Sequence, residues 1–292
     1  MSGNIYGLIE AGGTKFVLGI ANADGSILER HRIPTNMPEE TLSAMAAWFA
    51  DRGALKAIGV ATFGPVELGR SSPNWGHILK TPKPGWTNAD LLAPLRAQFD
   101  CPIALDTDVN AAALAEAQWG AGTGEDTVLY FTVGTGIGGG AVINGKTLCG
   151  KGHPEMGHIR LARHPDDLDF AGICPFHGDC LEGLASGPAI KARWGQSLSD
   201  LPNDHIAHDI VAYYLAQTVV TMQAIFEPGK IIFGGGVMAT PDLISRVRER
   251  AIQLGGGYFR TDPAKLVVPP ALGADAGLLG ALAIALSLTS AP

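Results

Sequence analysis

Two segments of the chain repeat one pattern of apolar runs and turn residues. Residues 5–27 (IYGLIEAGGTKFVLGIANADGSI) read as an apolar strand, a glycine-rich turn, a second strand, an Asp-Gly turn and a third strand. Residues 127–148 (TVLYFTVGTGIGGGAVINGKTL) follow the same order with an Asn-Gly turn. Asp-Gly and Asn-Gly between apolar runs are strong hairpin signals. Their recurrence predicts a duplicated architecture with one glycine turn in each half.

Alternating helical and strand-like segments follow each of these units. We predict helices over residues 41–51, 89–99, 110–119, 209–226 and 241–254, and strands over 57–62, 102–105 and 230–233. Such alternation predicts mostly parallel sheets with helices on their faces. A boundary near WGAGTGE divides the chain into an N-terminal α/β domain, residues 1–119 completed by a C-terminal helix over 275–292, and a C-terminal α/β domain, residues 120–274.

Composition narrows the classes of function. The 292 residues are 46% hydrophobic and 17% charged, which is ordinary for a globular protein. The net charge of −7 argues against a nucleic-acid partner but allows one bound nucleotide. The N-terminus carries no signal-peptide pattern, and the longest apolar stretch, near 277–288, is too short to cross a membrane. We therefore expect a cytoplasmic protein with no membrane partner.

Two of the four cysteines fall in a metal-binding pattern. The segment CPFHGDC places Cys174, His177 and Cys180 within seven residues, and His158 lies upstream. Two thiolates and two imidazoles are a ligand set that tetrahedral zinc prefers, and four protein ligands indicate a structural metal. A surface loop with incidental Cys and His is the alternative, and His153 is the competing first ligand. The isolated Cys101 and Cys149 are expected to be buried.

Two literal nucleotide-binding motifs fail on their context. Residues 140–147 (GAVINGKT) fit the P-loop pattern, and residues 134–139 (GTGIGG) fit the dinucleotide fingerprint. Both patterns require a helix to follow, whereas a strand follows here. What remains is three glycine turns at strand ends: 12–14, 134–136 and 234–236. Any one of them is explained as a tight turn, but the three together favour phosphate contacts through backbone N–H groups.

Asp108 is the candidate catalytic base. It lies in DTDVN at a strand-to-helix transition, and phosphoryl transfer to an alcohol benefits from a carboxylate that accepts the hydroxyl proton. The alternative is that Asp108 only caps the following helix, which is a common role for Asp. The residues alone leave these two readings even.

Together the motifs resemble the ROK family of sugar kinases and repressors. EAGGTKF, DTDVNAAALAE, TVGTGIGGG, HPEMGH, CPFHGDCLEG and FGGGV occur in the family's order, and they cover practically the whole chain. CPFHGDC, EAGGTKF and TPKPGW resemble the bacterial zinc-containing ROK fructokinases most closely. The resemblance implies an actin-like (ribonuclease H-like) ATPase fold of two α/β domains around a cleft.

The resemblance also implies roles for individual residues. Asp108 would be the catalytic base, and Asn74, Asp108, Glu155, His158 and Glu182 would contact the sugar. His158, Cys174, His177 and Cys180 would hold zinc. ATP would be bound by Gly12, Gly13, Thr14, Lys15, Thr135, Gly136, Pro188, Gly234, Gly235, Gly236, Val237 and Met238, with Mg²⁺ on its phosphates.

Three positions depart from the broader family. Glu10 stands where many members have Asp, and its longer carboxylate could reach Mg²⁺ through water. Thr107 replaces an Asn beside the base, which weakens a glucokinase reading, and His177 stands where other members use Cys. The implied activity is ATP-dependent phosphorylation of fructose to fructose 6-phosphate by a homodimer. The alternatives are another hexose (mannose, glucose or an amino sugar) or a catalytically silent, sugar-responsive regulator.

Overall fold

The structure is a computed structural model that describes residues 5–289. Its strands are β1 (Ile5–Ala11), β2 (Lys15–Asn22), β3 (Ile27–Pro34), β4 (Ala57–Thr62), β5 (Ile103–Thr107), β6 (Thr127–Val133), β7 (Ile137–Ile143), β8 (Lys146–Thr147), β9 (Lys230–Gly234) and β10 (Val267–Val268). Its helices are α1 (Pro38–Ala50), α2 (Ala93–Gln98), α3 (Asp108–Trp119), α4 (Leu181–Ala185), α5 (Gly187–Trp194), α6 (Ile206–Phe226), α7 (Leu243–Gly255), α8 (Pro263–Leu266) and α9 (Ala276–Leu286).

These elements form two compact units. Unit 1 contains residues 5–115, 149–153 and 272–289, and unit 2 contains residues 116–148 and 154–271. The division into domains 1–119 with 275–292, and 120–274, stays a prediction.

Each unit contains a five-stranded sheet with the same strand order. In unit 1 the order is β3-β2-β1-β4-β5, and in unit 2 it is β8-β7-β6-β9-β10. The first three strands of each unit form an antiparallel meander, and the next two strands run parallel to its first strand. The duplicated strand–glycine turn–strand–hairpin unit that the sequence predicts is therefore confirmed.

Burial along the strands of unit 1 follows their place in the sheet. All six residues of β4 are buried, and six of the eight residues of β2 are buried. The edge strand β3 exposes the consecutive residues Glu29, Arg30, His31 and Arg32. Charged side chains on an edge strand discourage pairing with another chain.

Helix α9 packs against the sheet of unit 1 at backbone distance. A Cβ atom added at Gly59 in β4 would lie 1.8 Å from the carbonyl oxygen of Ala281. The absence of a side chain there allows this approach, and nine of the eleven residues of α9 are buried. The apolar stretch near the C-terminus is therefore a packed helix. No helix within residues 5–289 is long and apolar enough to cross a membrane.

The core of unit 2 lies between its sheet and helix α6. The rings of Phe131 and Phe233 stack with their centroids 5.3 Å apart, which ties β6 to β9 on one face of the sheet. Helix α6 has 21 residues and buries 12 of them, including Tyr214 and Leu215. This apolar layer supports the ends of β6 and β9, where two of the glycine turns lie.

Two expectations about unit 1 are wrong. The helix predicted over 89–99 begins only at Ala93, because the Asp90 carboxylate accepts the amide N–H groups of Leu92 and Ala93 and turns the chain first. Cys149 is exposed, since it follows the β7–β8 hairpin in an irregular loop, and Cys101 is half-buried. The strand predicted over 57–62 is confirmed with those bounds.

Substituting Gly59 with Ala is expected to destabilise unit 1 by about 3 kcal/mol, because the new methyl group can be accommodated only if α9 moves away from the sheet. Thermal unfolding followed by circular dichroism measures this loss. Gly150→Ala is the matched control, since a Cβ atom there meets nothing closer than 3.9 Å. Equal melting temperatures for the two variants would contradict the backbone-level contact.

Candidate functional site

The turn between β1 and β2 directs its carbonyl groups into the protein. The Lys15 carbonyl accepts the Gly12 N–H at 3.0 Å, and the Gly12 carbonyl accepts the Thr35 hydroxyl at 2.8 Å. The Thr14 carbonyl accepts the Thr35 N–H at 3.0 Å. The Gly13 carbonyl accepts the Lys83 ammonium at 2.5 Å.

The same turn leaves donors available. Within residues 5–289, no acceptor is found for the amide N–H groups of Gly13 and Thr14, and both residues are exposed. A turn whose carbonyls are bonded and whose amides are open presents partial positive charge. Such a turn can bind phosphate oxygens.

Asp108 begins helix α3 but does not cap it. The Thr107 hydroxyl accepts the Asn110 N–H at 3.2 Å, which is the bond that a capping side chain makes. Asn110 also donates its side-chain N–H to the Asp106 carboxylate at 2.7 Å. The Asp108 carboxylate accepts the N–H of the adjacent Val109 at 2.9 Å, and although the residue as a whole is exposed, its carboxyl group lies among protein atoms. Capping therefore does not account for an Asp at this position.

The surrounding protein raises the pKa of Asp108 to about 6. The main cause is desolvation of the carboxylate, which its bonds to backbone N–H groups and the nearby His153 only partly oppose. A carboxylate with this pKa is ionised at neutral pH yet is a stronger base than an ordinary Asp. It has the property that a general base requires.

Glu10 is a second carboxylate near the turn. It is the penultimate residue of β1, and a Cβ atom at Gly277 would lie 2.2 Å from its carboxyl carbon. Burial raises the pKa of Glu10, the charge of Asp108 raises it further, and Lys15 and Arg32 lower it. Two carboxylates whose negative charges repel each other, beside a turn with open amides, suit a divalent cation.

Four side chains of unit 2 form a cluster that could hold a metal ion. One ligand atom from each of His158, Cys174, His177 and Cys180 lies within 4.8 Å of the others. His158 Nδ1 is 3.4 Å from Cys180 Sγ and 3.7 Å from Cys174 Sγ, and His177 Nδ1 is 3.7 Å from Cys174 Sγ. In a tetrahedral zinc site with Zn–S of about 2.3 Å and Zn–N of about 2.05 Å, the S···N edge is about 3.6 Å. The donor set and its spacing fit zinc.

The alternative first ligand, His153, is not part of this cluster. His153 belongs to unit 1, where it acts electrostatically on Asp108, and its Nε2 lies 3.8 Å from the place of a Cβ at Gly64. It precedes Pro154, whose ring restricts the backbone between it and the cluster. The choice of His158 over His153 agrees with the geometry.

Glu182 is held by the glycine turn of unit 2. Its carboxylate accepts the Ile137 N–H at 2.9 Å, and a Cβ atom at Gly136 would lie 2.7 Å from the same carboxylate. Helix α4, which carries Glu182, begins immediately after the cluster ligand Cys180. Glu155 precedes the 3₁₀ turn Met156–His158, which carries the first ligand. The cluster therefore fixes the backbone on which both glutamates lie.

A cavity of about 600 Å³ lies in unit 2 at the ends of β6 and β9. Four predicted ATP-binding residues line it: Thr135, Pro188, Gly236 and Val237. Gly136, Gly234, Gly235 and Met238 do not line it. Gly234 packs against the Tyr130 hydroxyl, and Gly235 has φ +94° and packs against the Val133 backbone. These two glycines shape the turn, because a side chain at either would strike its neighbours.

Sequence reasoning missed several lining residues. Lys191, Ser197, Ser199 and Thr240 bring polar groups to the cavity, and Ile190 and Leu198 bring apolar surface. None of these lies in a glycine motif, and the chain folds them together from α5, the following loop and the segment before α7. In unit 1, Asn74 is exposed on a turn whose carbonyl accepts from His77, and no side-chain contact assigns it a role.

A model of the ROK family matches residues 6–287 of the chain. The chain belongs to the ROK family. This ROK protein is 48% identical to the fructokinase of Zymomonas mobilis subsp. mobilis over 97% of both chains. It is 46% identical to a fructokinase of Lactococcus lactis subsp. cremoris, over 87% of this chain and 86% of that one.

Among solved structures, the ROK hexokinase of Thermus thermophilus superposes with a TM-score of 0.82 at 28% identity. The match covers 98% of this chain and 99% of that chain. The predicted fold class, the actin-like (ribonuclease H-like) α/β ATPase fold, is confirmed.

The raised pKa of Asp108 has a consequence for the stability of this ROK protein. Because the folded-state pKa of about 6 exceeds the usual 3.8, the neutral form is favoured by folding. That contribution is complete below about pH 4 and is lost as the pH rises through 6. Asp108→Asn is therefore expected to melt slightly above the parent protein at pH 8, with the difference shrinking towards pH 4. A variant that melts below the parent protein at pH 8 would contradict this.

Proposed function

We propose that this ROK protein is a fructokinase that transfers the γ-phosphoryl group of ATP to the 6-hydroxyl group of fructose. Two relatives at 46% and 48% identity carry the name fructokinase. The observation that carries the chemistry is the Asp108 carboxylate, which helix capping does not use and whose pKa is about 6. A sugar hydroxyl needs such a base when it attacks phosphorus.

In the proposed reaction, Asp108 accepts the proton of the sugar hydroxyl as its oxygen forms a bond to the γ-phosphorus. The bond between that phosphorus and the oxygen bridging to the β-phosphate breaks, and ADP leaves with the bonding electron pair. The open amides of Gly13 and Thr14 donate to the phosphate oxygens, where negative charge is spread in the transition state. Lys15 adds a positive charge at the end of this turn.

The nucleotide is assigned to the cavity of unit 2. Thr135, Gly236 and Val237 line it, and Pro188 begins the helix on its other side. The pocket combines apolar surface from Ile190 and Leu198 with hydroxyl groups from two serines, which suits a nucleoside. We assign Gly136, Gly234, Gly235 and Met238 to shaping and flanking this site rather than lining it.

Mg²⁺ accompanies ATP in this proposal, where it would neutralise charge on the phosphates. Glu10 is the residue of unit 1 that would hold it, through water. The space left by Gly277 accommodates the longer Glu side chain at this position.

The sugar is assigned to Asn74, Asp108, Glu155, His158 and Glu182 on the strength of the family resemblance. His158 turns Nδ1 towards the cysteine thiols, which leaves Nε2 to contact a sugar hydroxyl. Zinc would be held by His158, Cys174, His177 and Cys180, and its chemistry is structural because these four ligands complete a tetrahedron. Their contribution is to orient the backbone that carries the glutamates.

The cellular location and the oligomeric state are the remaining parts of the proposal. We propose that the protein acts in the cytoplasm, where ATP is available, and its four free cysteines suit a reducing compartment. We also propose that the protein is a homodimer, on the strength of the family resemblance alone.

A coupled ADP-release assay with Mg-ATP and fructose, mannose, glucose or N-acetylmannosamine tests the proposed function. Fructose is expected to give the highest kcat/KM, with an acidic limb near pH 6 because Asp108 must be ionised. Asp108→Asn is expected to lose about 10³-fold in kcat.

Asp24→Asn is the control, since Asp24 lies in the β2–β3 turn, where it accepts the Ser26 N–H through an oxygen that Asn also has. Near-parental turnover by the Asp108 variant would refute the assignment of Asp108 as the general base. Turnover of another sugar alone would refute fructose as the substrate but would agree with the proposed phosphoryl transfer. Turnover of none would refute the kinase.

Zinc content gives a separate prediction. The parent protein is expected to contain one zinc ion per chain, and Cys180→Ser to contain less than a tenth of that and to lose 10- to 100-fold in activity, as estimated from effects around other metal sites. Cys149→Ser is the control, because this exposed thiol lies outside the cluster. Elemental analysis of both purified variants measures the difference, and full zinc content in the Cys180 variant would exclude the assigned ligands.

A further inference from the structure

Lys83 is a half-buried cation without a carboxylate partner. Its ammonium donates to the Gly13 carbonyl at 2.5 Å. Within residues 5–289 it forms no ion pair, whereas Arg52, Arg96 and Arg193 each pair with an acidic residue. An anion bound at the turn would be attracted by this charge.

The position of Lys83 is fixed by the segment that carries it. Pro82 and Pro84 flank it and restrict the backbone on both sides. Trp86 is fully buried and donates its indole N–H to the Asn36 carbonyl at 2.9 Å. The backbone N–H of Trp86 donates to the Lys83 carbonyl at 3.2 Å, and this bond closes a turn between the two residues.

Trp86 also packs near the phosphate-facing turn between β1 and β2. The ring of Trp86 lies 5.6 Å from that of Phe16, the second residue of β2, and 5.5 Å from that of Phe63, which follows β4. Gly12–Lys15 and Phe16 are continuous in the chain. The packing of the indole therefore fixes the position of the Lys83 segment relative to the turn. The position of the Lys83 ammonium depends on this packing and not on surface contacts.

We propose that Lys83 binds the transferred phosphoryl group, an inference that rests on the proposed kinase function. An ammonium group has three N–H donors, and the Gly13 carbonyl accepts one. The other two are available beside the open amides of Gly13 and Thr14. Lys83 then supplies a full positive charge where the backbone supplies only partial charge, at the oxygens that gain charge during transfer.

The competing account is that Lys83 only holds the turn in shape. Two variants separate these accounts. Lys83→Gln keeps an N–H donor for the Gly13 carbonyl but removes the charge, and Lys83→Arg keeps both. Thr35→Val removes an uncharged contact of similar kind, the hydroxyl bond to the Gly12 carbonyl of the same turn. Lys80→Gln removes a charge from an exposed lysine of the same segment.

The experiment compares steady-state kinetics of these variants with binding of ADP, alone and with aluminium fluoride as a mimic of the transferring phosphoryl group. Lys83→Gln is expected to lose about 100-fold in kcat and to lose the gain in affinity that aluminium fluoride gives. Its KM for fructose and its affinity for ADP alone should stay within threefold of the parent values. Lys83→Arg should recover at least tenfold of the lost kcat, and Lys80→Gln should match the parent protein.

Three outcomes would overturn the proposal. One is parental kcat in Lys83→Gln. Another is a loss of ADP affinity in that variant as large as its loss of kcat. The third is a loss in Thr35→Val that equals the loss in Lys83→Gln, since only the shape of the turn would then matter. Failure of the parent protein to phosphorylate any sugar would instead refute the proposed function, so the two failures are distinguishable.

Discussion

The hydrogen bonding of one short turn determines what the first unit can bind. A backbone turn carries as many acceptors as donors, and it attracts anions only if its carbonyls are bonded elsewhere. Here Thr35 satisfies two carbonyls of the turn, Lys83 a third, and the Gly12 amide the fourth. Thr35, which follows β3, and the proline-flanked segment around Lys83 thus act together on four residues. Their packing keeps the remaining amides directed outward.

The cluster of His158, Cys174, His177 and Cys180 would have a comparable effect on a longer segment once it holds a metal. Residues 149–180 contain almost no regular structure, yet three of the four ligands fall within seven residues near its end and the fourth lies in its middle. A second, metal-free set of contacts assists: Asp167 is buried, pairs with Arg193 at 2.7 Å and accepts the Tyr214 hydroxyl at 2.6 Å. The loop is therefore fastened to both α5 and α6. These contacts fix the position of a segment that has little regular secondary structure of its own.

Local signals in the sequence account for the features that it predicts well. Asp-Gly and Asn-Gly turns, alternating glycine and apolar runs, and the Cys-x2-His-x2-Cys spacing each act over fewer than ten residues, and the hairpins and the close-set ligands appear as expected. Contacts between distant segments account for what was missed. That Thr107 and not Asp108 caps α3 depends on the hydroxyl position, and Lys83 reaches Gly13 across 70 residues of chain. Ser197 and Ser199 join the cavity only because α5 and the following loop fold beside the turn at Gly236.

The packing of α9 bears on the order in which the protein assembles during synthesis. Unit 2 ends at Ala271, so every residue it needs has been translated before the last helix is made. The sheet of unit 1, by contrast, is formed mainly from the first 107 residues but stays uncovered at Gly59 until α9 leaves the ribosome. The apolar face of that sheet must be kept from aggregation for most of the time of translation. A chain interrupted between Ala271 and Ala276 would hold every residue of the second unit but would lack the helix that covers the first.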